Sequence, residues 1–497
     1  MSDALPPRSE PGRGNPVEPA SAGPPDDAAA AAPDDAAAAA PKGEPPADQP
    51  TSVDRRSFFR VFSRQTVTTV AQVAGMAGAV QRGTTTAVVN AVGIGLGNPS
   101  RSAARLSMPE PEAAEEPAAP GAAGAIRFRS PYRLVDGTLY LLDQRLLPDA
   151  TEEIACRRAA DVAFQMRMLA VNGAPLLGQL AAYGFALTAA ESRDWFVSRR
   201  QAELRRATQL LTYARPTARP VRAALARMEA RVTEVLAELA DETGGARGGR
   251  DAPDGEVIAI ALMTEADAIA TQAAIDHAAI ARATAELLRP ANGAMLRVLL
   301  IGDPGLMTTG QVGTGVPALQ LLAQSDVTLK VFVAEGRPRL EGARLAAWEL
   351  RLAGIDHTIV GDSALGWLMA TEPLDAVLMG ADWIAADGDL VGTIGSRTAA
   401  ELAALGLNGG GPTPVYVLAP SVTVAPEPFA AGAVPVEMRP GRELATDHGT
   451  AVNQGTDAVN PAVEVVPNHR LSAFVTERGV HRAPFAASLS SLVRSAA

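Results

Sequence analysis

The sequence predicts an α/β protein, with a mostly helical N-terminal domain followed by a doubly wound parallel-sheet domain and a disordered extension ahead of both. Three observations predict it. After Gly293, short apolar runs alternate with helical stretches, the rhythm of a parallel sheet covered on both faces. Between residues 152 and 288, apolar residues recur at helical spacing. The first 50 residues are runs such as "PPDDAAAAAPDDAAAAAPKGEPP", which can bury no core. The expected boundaries are 1–50 for this Ala/Pro-rich arm, 51–97 for a basic and aromatic segment, 98–125 for a linker, 126–292 for the helical domain with its connecting helices, and 293–485 for the doubly wound domain.

Prolines recur too often in the arm for one long alanine helix. Residues 52–80 read "SVDRRSFFRVFSRQTVTTVAQVAGMAGAV", in which Arg55, Arg56, Arg60 and Arg64 interleave with Phe58, Phe59 and Phe62. Three readings are open. "RRSFFR" has the look of a twin-arginine export signal, although Arg64, Gln65 and Gln72 interrupt its apolar part. A basic amphipathic helix would touch a membrane surface or a protein partner. An added helix would pack on its own protein.

"YRLVDGTLYLLDQRLLP" predicts two short strands around the turn Asp136-Gly137. "EEIACRRAADVAFQMRMLA", "APLLGQLAAYGFAL" and "RAALARMEARVTEVLAELADE" predict helices. "TGGARGGRDAPDG" breaks the pattern, and residues 256–288 resume it as one long helix or a pair. "MLRVLLIG", "TLKVFVAEG", "DHTIVGD", "LDAVLMGAD" and "TPVYVLAP" predict strands. "EGARLAAWELRLAG" and "GSRTAAELAALG" are helices between them.

The chain has 497 residues and a formal net charge of -11, which argues against a nucleic-acid partner. With 4% aromatic residues, its core must be built from Ala, Leu and Val. A single cysteine, Cys156, allows no intrachain disulfide and fits a reducing, cytoplasmic setting. No apolar run reaches the roughly 18–20 residues of a membrane span.

In an open parallel sheet the ligand crevice lies beyond the carboxyl ends of the strands. The turns "IGDPG", "AEGRPRLEG", "VGDSA" and "MGADWIAADGD" bring Asp303, Glu335, Arg337, Arg339, Asp362, Asp382, Asp387 and Asp389 there. Glu335 and Arg337 are expected to pair, and Asp362 to cap a helix. Asp382 directly follows a strand in a glycine-flanked turn. Burial beside Trp383 would raise its pKa and suit it to acid or base chemistry. The histidines, His277, His357, His448, His469 and His481, have no ligand spacing, so no metal and no cofactor is expected. "ADGD" reads as a turn, and "GTGVP" and "GGGP" do not make a P-loop.

"LLDQRLLP", "NGAPLLGQLAAYG", "ARPTA", "EGRPRLEGARLAAWELRLAGI", "GADWIAADGD", "IGS" and "VNPAVEVVP" occur in this order. Together, over about residues 126–485, they resemble the methylthioribose-1-phosphate isomerases of methionine salvage. Those enzymes share a superfamily with the regulatory subunits of initiation factor 2B. The resemblance implies a Rossmann-like C-terminal domain, a homodimer and conversion of an aldose 1-phosphate into a ketose 1-phosphate. It also implies a cysteine and an aspartate as the acid and base.

The aspartate maps to Asp382. At the cysteine's position stands Gly302, followed by Asp303 as a tentative second catalytic carboxyl. The family's phosphate ligands map to Asn172 in place of an arginine, Arg215 retained, Glu341 in place of a glutamine, and Gly392 and Thr393 in place of Asn-Lys. A charge-assisted contact is worth about 1.5–3 kcal/mol. Two lost contacts weaken phosphate binding by roughly a hundredfold or more. Arg219, Arg337 and Arg397 are the candidate replacement cations. Two functions follow. One is an aldose–ketose isomerase whose substrate is a sugar or sugar phosphate. The other is a non-catalytic ligand-binding or regulatory protein.

Overall fold

A computed structural model describes residues 130–242, 254–291, 293–425, 436–444, 446–447, 450–451 and 457–494. The arm, the linker and the segment 52–80 with its expected membrane or partner contact lie outside the described residues.

A three-stranded antiparallel sheet opens the described chain: β1 (Tyr132–Val135), β2 (Thr138–Leu142) and β3 (Glu153–Cys156), in that order. Asp136 and Gly137 both take positive φ in the β1–β2 turn, as a two-residue hairpin requires. The sequence reading placed β3 in a helix. Its four residues instead pair with β2, Leu139 opposite Cys156 and Leu141 opposite Ile154, and this pairing overrides local propensity. Cys156 is buried in the strand, and burial pushes its thiol up to about 12.

Five helices follow: α1 (Ala159–Arg167), α2 (Ala174–Glu191), α3 (Val197–Ala214), α4 (Arg219–Glu242) and α5 (Asp254–Leu288). Helix α2 is buried on nearly every side, because Leu176, Leu177, Leu180, Phe185 and Leu187 project in all directions from an alanine-rich core. Helix α5 is one continuous helix. By length and composition it could cross a membrane, with a mean hydropathy of 1.4 in its most apolar window, which corrects the expectation that no such segment exists. Glu265, Asp267 and Asp276 interrupt the run in sequence. In the fold, Ile258, Leu262, Met263, Ala266 and Ala270 pack into the helical core. Further along, Ile280, Ala281, Ala285 and Leu288 pack on the main sheet.

That sheet has seven strands: β4 (Leu296–Ile301), β5 (Leu329–Ala334), β6 (His357–Val360), β7 (Ala376–Met379), β10 (Val415–Leu418), β12 (Ala473–Thr476) and β13 (Gly479–His481). Their order is β13-β12-β10-β7-β4-β5-β6, and all pairs are parallel except β12 with β13. Both faces are buried with a period of two. Val298, Leu300, Val331 and Val333 face α5, α7 (Gly315–Ala323) and α8 (Ala347–Leu352). Leu299, Ile301, Val377 and Met379 face the opposite layer of α9 (Leu365–Thr371), α10 (Ser396–Ala404) and α11 (Phe485–Arg494).

A second, small antiparallel sheet joins β8 (Trp383–Ile384), β9 (Leu390–Thr393) and β11 (Val463–Val466) in the order β11-β9-β8. The chain winds one way from β4 through β5 to β6, then crosses back to place β7 on the other side of β4. The sheet's switch point therefore lies between β4 and β7, where such folds open a crevice.

Candidate functional site

The register sets Ile301 opposite Met379, so β4 and β7 end level. Gly302 follows one strand directly, and Asp382 lies three residues past the other. The turn after β5 carries Glu335 to Glu341 to the same edge. Gly302, Arg337, Arg339, Glu341 and Asp362 line a cleft there, with Thr393, Ile394 and Gly395 from the β9–α10 turn and Arg439, Glu443 and Asn460 from the C-terminal third.

Asp382 is fixed through its backbone. Its N–H donates to the Val391 carbonyl at 2.9 Å, and its carbonyl accepts the Arg219 N–H at 3.0 Å. Burial raises its carboxyl to about 6. Arg215 and Arg339 oppose that rise, while Glu341 and Glu437 add to it. The neighbouring Trp383 ring is flanked by Arg219 at 5.9 Å and Arg222 at 5.7 Å.

Glu341 is the hub of the wall. Its Oε1 accepts Asn172 Nδ2–H at 2.7 Å and Arg339 Nε–H at 2.9 Å. Arg215 donates from Nη1 to Asn172 Oδ1. Two guanidinium groups and an amide hold the Glu341 carboxyl below its ordinary value even though burial alone would raise it. Arg215 is only 3% exposed, so it supports the wall from behind. Its Nε lies 3.3 Å from Glu437 Oε2. Glu437 belongs to residues 436–444, a strap across the site. Ala462 N–H donates to the Glu437 carbonyl at 2.8 Å, and Arg439 N–H to the Asn460 carbonyl at 2.7 Å. The Arg439 guanidinium pairs with Glu443 at 2.6 Å.

Gly302 has φ +74°, a left-handed conformation that L residues rarely adopt, and an added Cβ would lie 3.3 Å from Thr393 Cγ2. Asp303 stands behind the lining. Its Oδ1 accepts the Gly305 N–H at 3.0 Å, and its Oδ2 is sealed from solvent with no hydrogen-bond partner. Burial, then Glu349 and Glu341, push its carboxyl well up. Glu349, from α8, accepts the N–H groups of Leu306 at 2.7 Å and Met307 at 2.8 Å, the first residues of the short helix α6 (Leu306–Thr309). Burial raises the Glu349 carboxyl to about 7.

Of the residues singled out from sequence, Gly302, Arg337, Arg339, Glu341, Asp362 and Thr393 line the cleft. Asp382 is not among the lining residues, and Asn172 and Arg215 stand one contact behind. Gly392 is buried in β9, opposite Glu464. Glu335 and Arg337 do not hold their loop as an ion pair. Asp362 holds it, accepting the amides of Gly336 at 3.0 Å and Arg337 at 2.7 Å, because β5 and β6 are adjacent and their turns abut. Asp362 is thus a clamp between loops, not the cap of its own helix. Asp387 and Asp389 are turn residues, accepting the N–H groups of Asp389 and Asn468. Among the described residues no three His, Cys, Asp or Glu side chains are grouped to hold a metal. Glu437, Arg439 and Glu443 escaped the sequence reading, and their one signal was the alternating charge of "VEMRPGRE", outside any periodic element. Asn460 lies in the quoted "VNPAVEVVP" but was given no role.

The profile of the Initiation factor 2 subunit family matches residues 170–483. The methylthioribose-1-phosphate isomerase of Desulforudis audaxviator is 36% identical over 366 residues, covering 72% of this chain and 96% of that protein. The Pseudomonas putida protein of the same name is 35% identical over 361 residues, 72% and 93% of the two chains. Among solved structures, 5-methylthioribose 1-phosphate isomerase from Pyrococcus horikoshii superposes with a TM-score of 0.61 at 27% identity, covering 74% of this chain and 97% of that one. Translation initiation factor eIF-2B subunit delta from A. fulgidus gives 0.57 at 28% identity, covering 73% and 99%.

Proposed function

This chain belongs to the Initiation factor 2 subunit family, and we propose that it is an aldose–ketose isomerase of that family acting on a sugar or sugar derivative. The observation that carries the proposal is Asp382. It sits past the end of β7 at the switch point, with its carboxyl raised to about 6 beside two guanidinium groups. The relatives named as methylthioribose-1-phosphate isomerases support the reaction class.

At neutral pH, Asp382 is mostly a carboxylate whose conjugate acid is weak enough to hold a proton in transit. It takes the proton from C2 of the open-chain aldose while the C1 carbonyl oxygen is protonated. The resulting enediol gives its O2 proton to the carboxylate that protonated O1, restoring that acid, as Asp382 returns a proton to C1. C2 is oxidised, C1 is reduced, and no external electron carrier enters. Asp303, kept towards its protonated form by burial and by Glu349, is the proposed donor to oxygen, a role that requires the turn after β4 to bring it forward from behind the lining. A homodimer belongs to the same proposal, and sedimentation of the full chain reads it.

One observation favours the non-catalytic alternative: Gly302 puts no functional group on the cleft wall. Carbon-13 NMR separates the two readings. The full chain is mixed with labelled 5-methylthioribose 1-phosphate and, in parallel, with labelled 5-methylthioribose. A ketone carbon that appears with the wild type and not with Asp382→Asn supports the isomerase. Ligand binding without any ketone from either compound supports the regulatory reading.

A further inference from the structure

The cleft contains an anion of its own. Glu341 is 15% exposed and is held by Arg339 Nε, 21% exposed, and by Asn172 Nδ2, which Arg215 braces in turn. Helix α2 begins at Ala174, two residues past Asn172, and no side chain caps its N-terminus, so the local dipole also favours negative charge near Glu341. Most of the other positive features around the cleft are occupied as well, the Arg337 guanidinium in the lining being the exception. Glu437 pairs with Arg215 and Glu443 with Arg439. The amides of Gly336 and Arg337 hold Asp362. Those of Gly395 and Arg397, at the start of α10, hold Glu464 Oε1 at 2.6 and 3.0 Å. The lining balances three guanidinium groups, Arg337, Arg339 and Arg439, against three carboxylates, Glu341, Asp362 and Glu443.

We propose that Glu341 is a resident anion occupying the position an anionic substituent would take, so that the cleft selects an uncharged polyhydroxy compound, such as a free aldose, over its phosphate ester. This names the substrate class for the isomerase proposed above and rests on that reading. A phosphate dianion entering the cleft would meet a carboxylate already holding the Arg339 and Asn172 donors. A sugar hydroxyl meets the reverse. It can donate to Glu341 and accept from Arg337 or Arg439, so paired ions become complementary partners for a neutral polyol. The chemistry agrees. A free aldose opens its own hemiacetal ring, so the site needs no strong acid to open a ring locked by an anomeric phosphate.

The test reads binding, not turnover. The full chain and Glu341→Gln are titrated calorimetrically with D-ribose, D-ribose 1-phosphate and inorganic phosphate. Gln keeps the oxygen that Arg339 and Asn172 use and removes the charge. The expected results are a wild type that binds ribose at least about tenfold more tightly than ribose 1-phosphate, and a variant that gains at least about tenfold for both phosphate compounds, the scale of one charge-assisted contact. Wild-type protein that binds ribose 1-phosphate as tightly as ribose or more so, or a variant with unchanged phosphate affinity, overturns the proposal. The wild-type comparison stands alone if the variant does not fold. Absence of isomerisation would sink the enzyme reading and leave these affinity ratios intact. A ketose formed from a tightly bound ribose 1-phosphate would do the opposite.

Discussion

Arg215 Nε lies 3.3 Å from Glu437 Oε2, an ion pair that ties the end of α3 to the strap over the site. Arg215 is almost wholly buried, so removing its partner leaves a poorly compensated charge in the protein interior. Glu437→Ala should cost about 3 kcal/mol, the usual penalty for breaking one side of a buried pair. It should also speed amide exchange across residues 436–444. Because Glu437 adds to the rise of the Asp382 carboxyl, the variant's activity should in addition reach its plateau at lower pH. Unfolding and exchange profiles identical to wild type would refute the tie.

Asp382 carries the pH dependence. Its ordinary value is 3.8 and its value in the fold about 6, so the folded protein holds a proton that the unfolded chain has released. Stability is therefore lost as pH rises from about 4 to about 6, and the loss is complete above 6. Asp382→Asn should be more stable than wild type at neutral pH by on the order of 2 kcal/mol and indistinguishable from it below about pH 4. Wild-type turnover should rise with pH through about 6, as the carboxylate forms. Denaturant titrations at the two pH values and a rate profile check both.

Gly305 is expected to resist enlargement. A Cβ there would come within 2.3 Å of Glu349 Oε2 and displace the carboxylate from the amides of Leu306 and Met307. Gly305→Ala should cost at least about 2 kcal/mol, from overpacking and two lost buried hydrogen bonds. The adjacent Asp303 behaves differently. Burial and Glu349 keep its carboxyl towards the neutral form, so Asp303→Asn should change stability little. A fall in kcat without a fall in stability would support Asp303 as the donor to oxygen, and unchanged kcat would remove it from the mechanism.

Gly302→Cys puts a side chain on left-handed backbone, φ +74°, against Thr393 Cγ2. The cost should be about 1–2 kcal/mol, seen as a lower Tm. An unchanged Tm would show that the β4 turn relaxes freely.

The five apolar runs after Gly293 correspond to β4, β5, β6, β7 and β10, because the inner strands of a parallel sheet are short apolar blocks buried on both faces, while the edge strand β6 keeps only Val360 buried. The small sheet was not legible. β8 has two residues, and β9 pairs with β11 some seventy residues later, so only long-range register defines either. The same limit applied to the site. Asp382 could be read locally, since a carboxylate just past a strand end marks a crevice in this class of fold. The partners that set its charge environment could not. Arg215 comes from a helix end and Glu437 from an irregular segment, and only the tertiary fold brings them beside Glu341. Asp362 shows the same effect in reverse, because its local pattern reads as a helix cap while the adjacent β5 turn offers its amides first.

If Asp382 carries a proton between two carbons of a sugar, isotope exchange reads the transfer. The full chain is incubated in deuterium oxide with carbon-13-labelled 5-methylthioribose, and separately with its 1-phosphate, while C1, C2 and the ketone carbon are followed by NMR. A carboxylate that takes a proton from C2 and exchanges with solvent before returning it leaves deuterium at C1 of the ketose. The wild type should give ketone signal with deuterium at C1, and Asp382→Asn neither. Ketose formed at the wild-type rate by Asp382→Asn would contradict that role for Asp382.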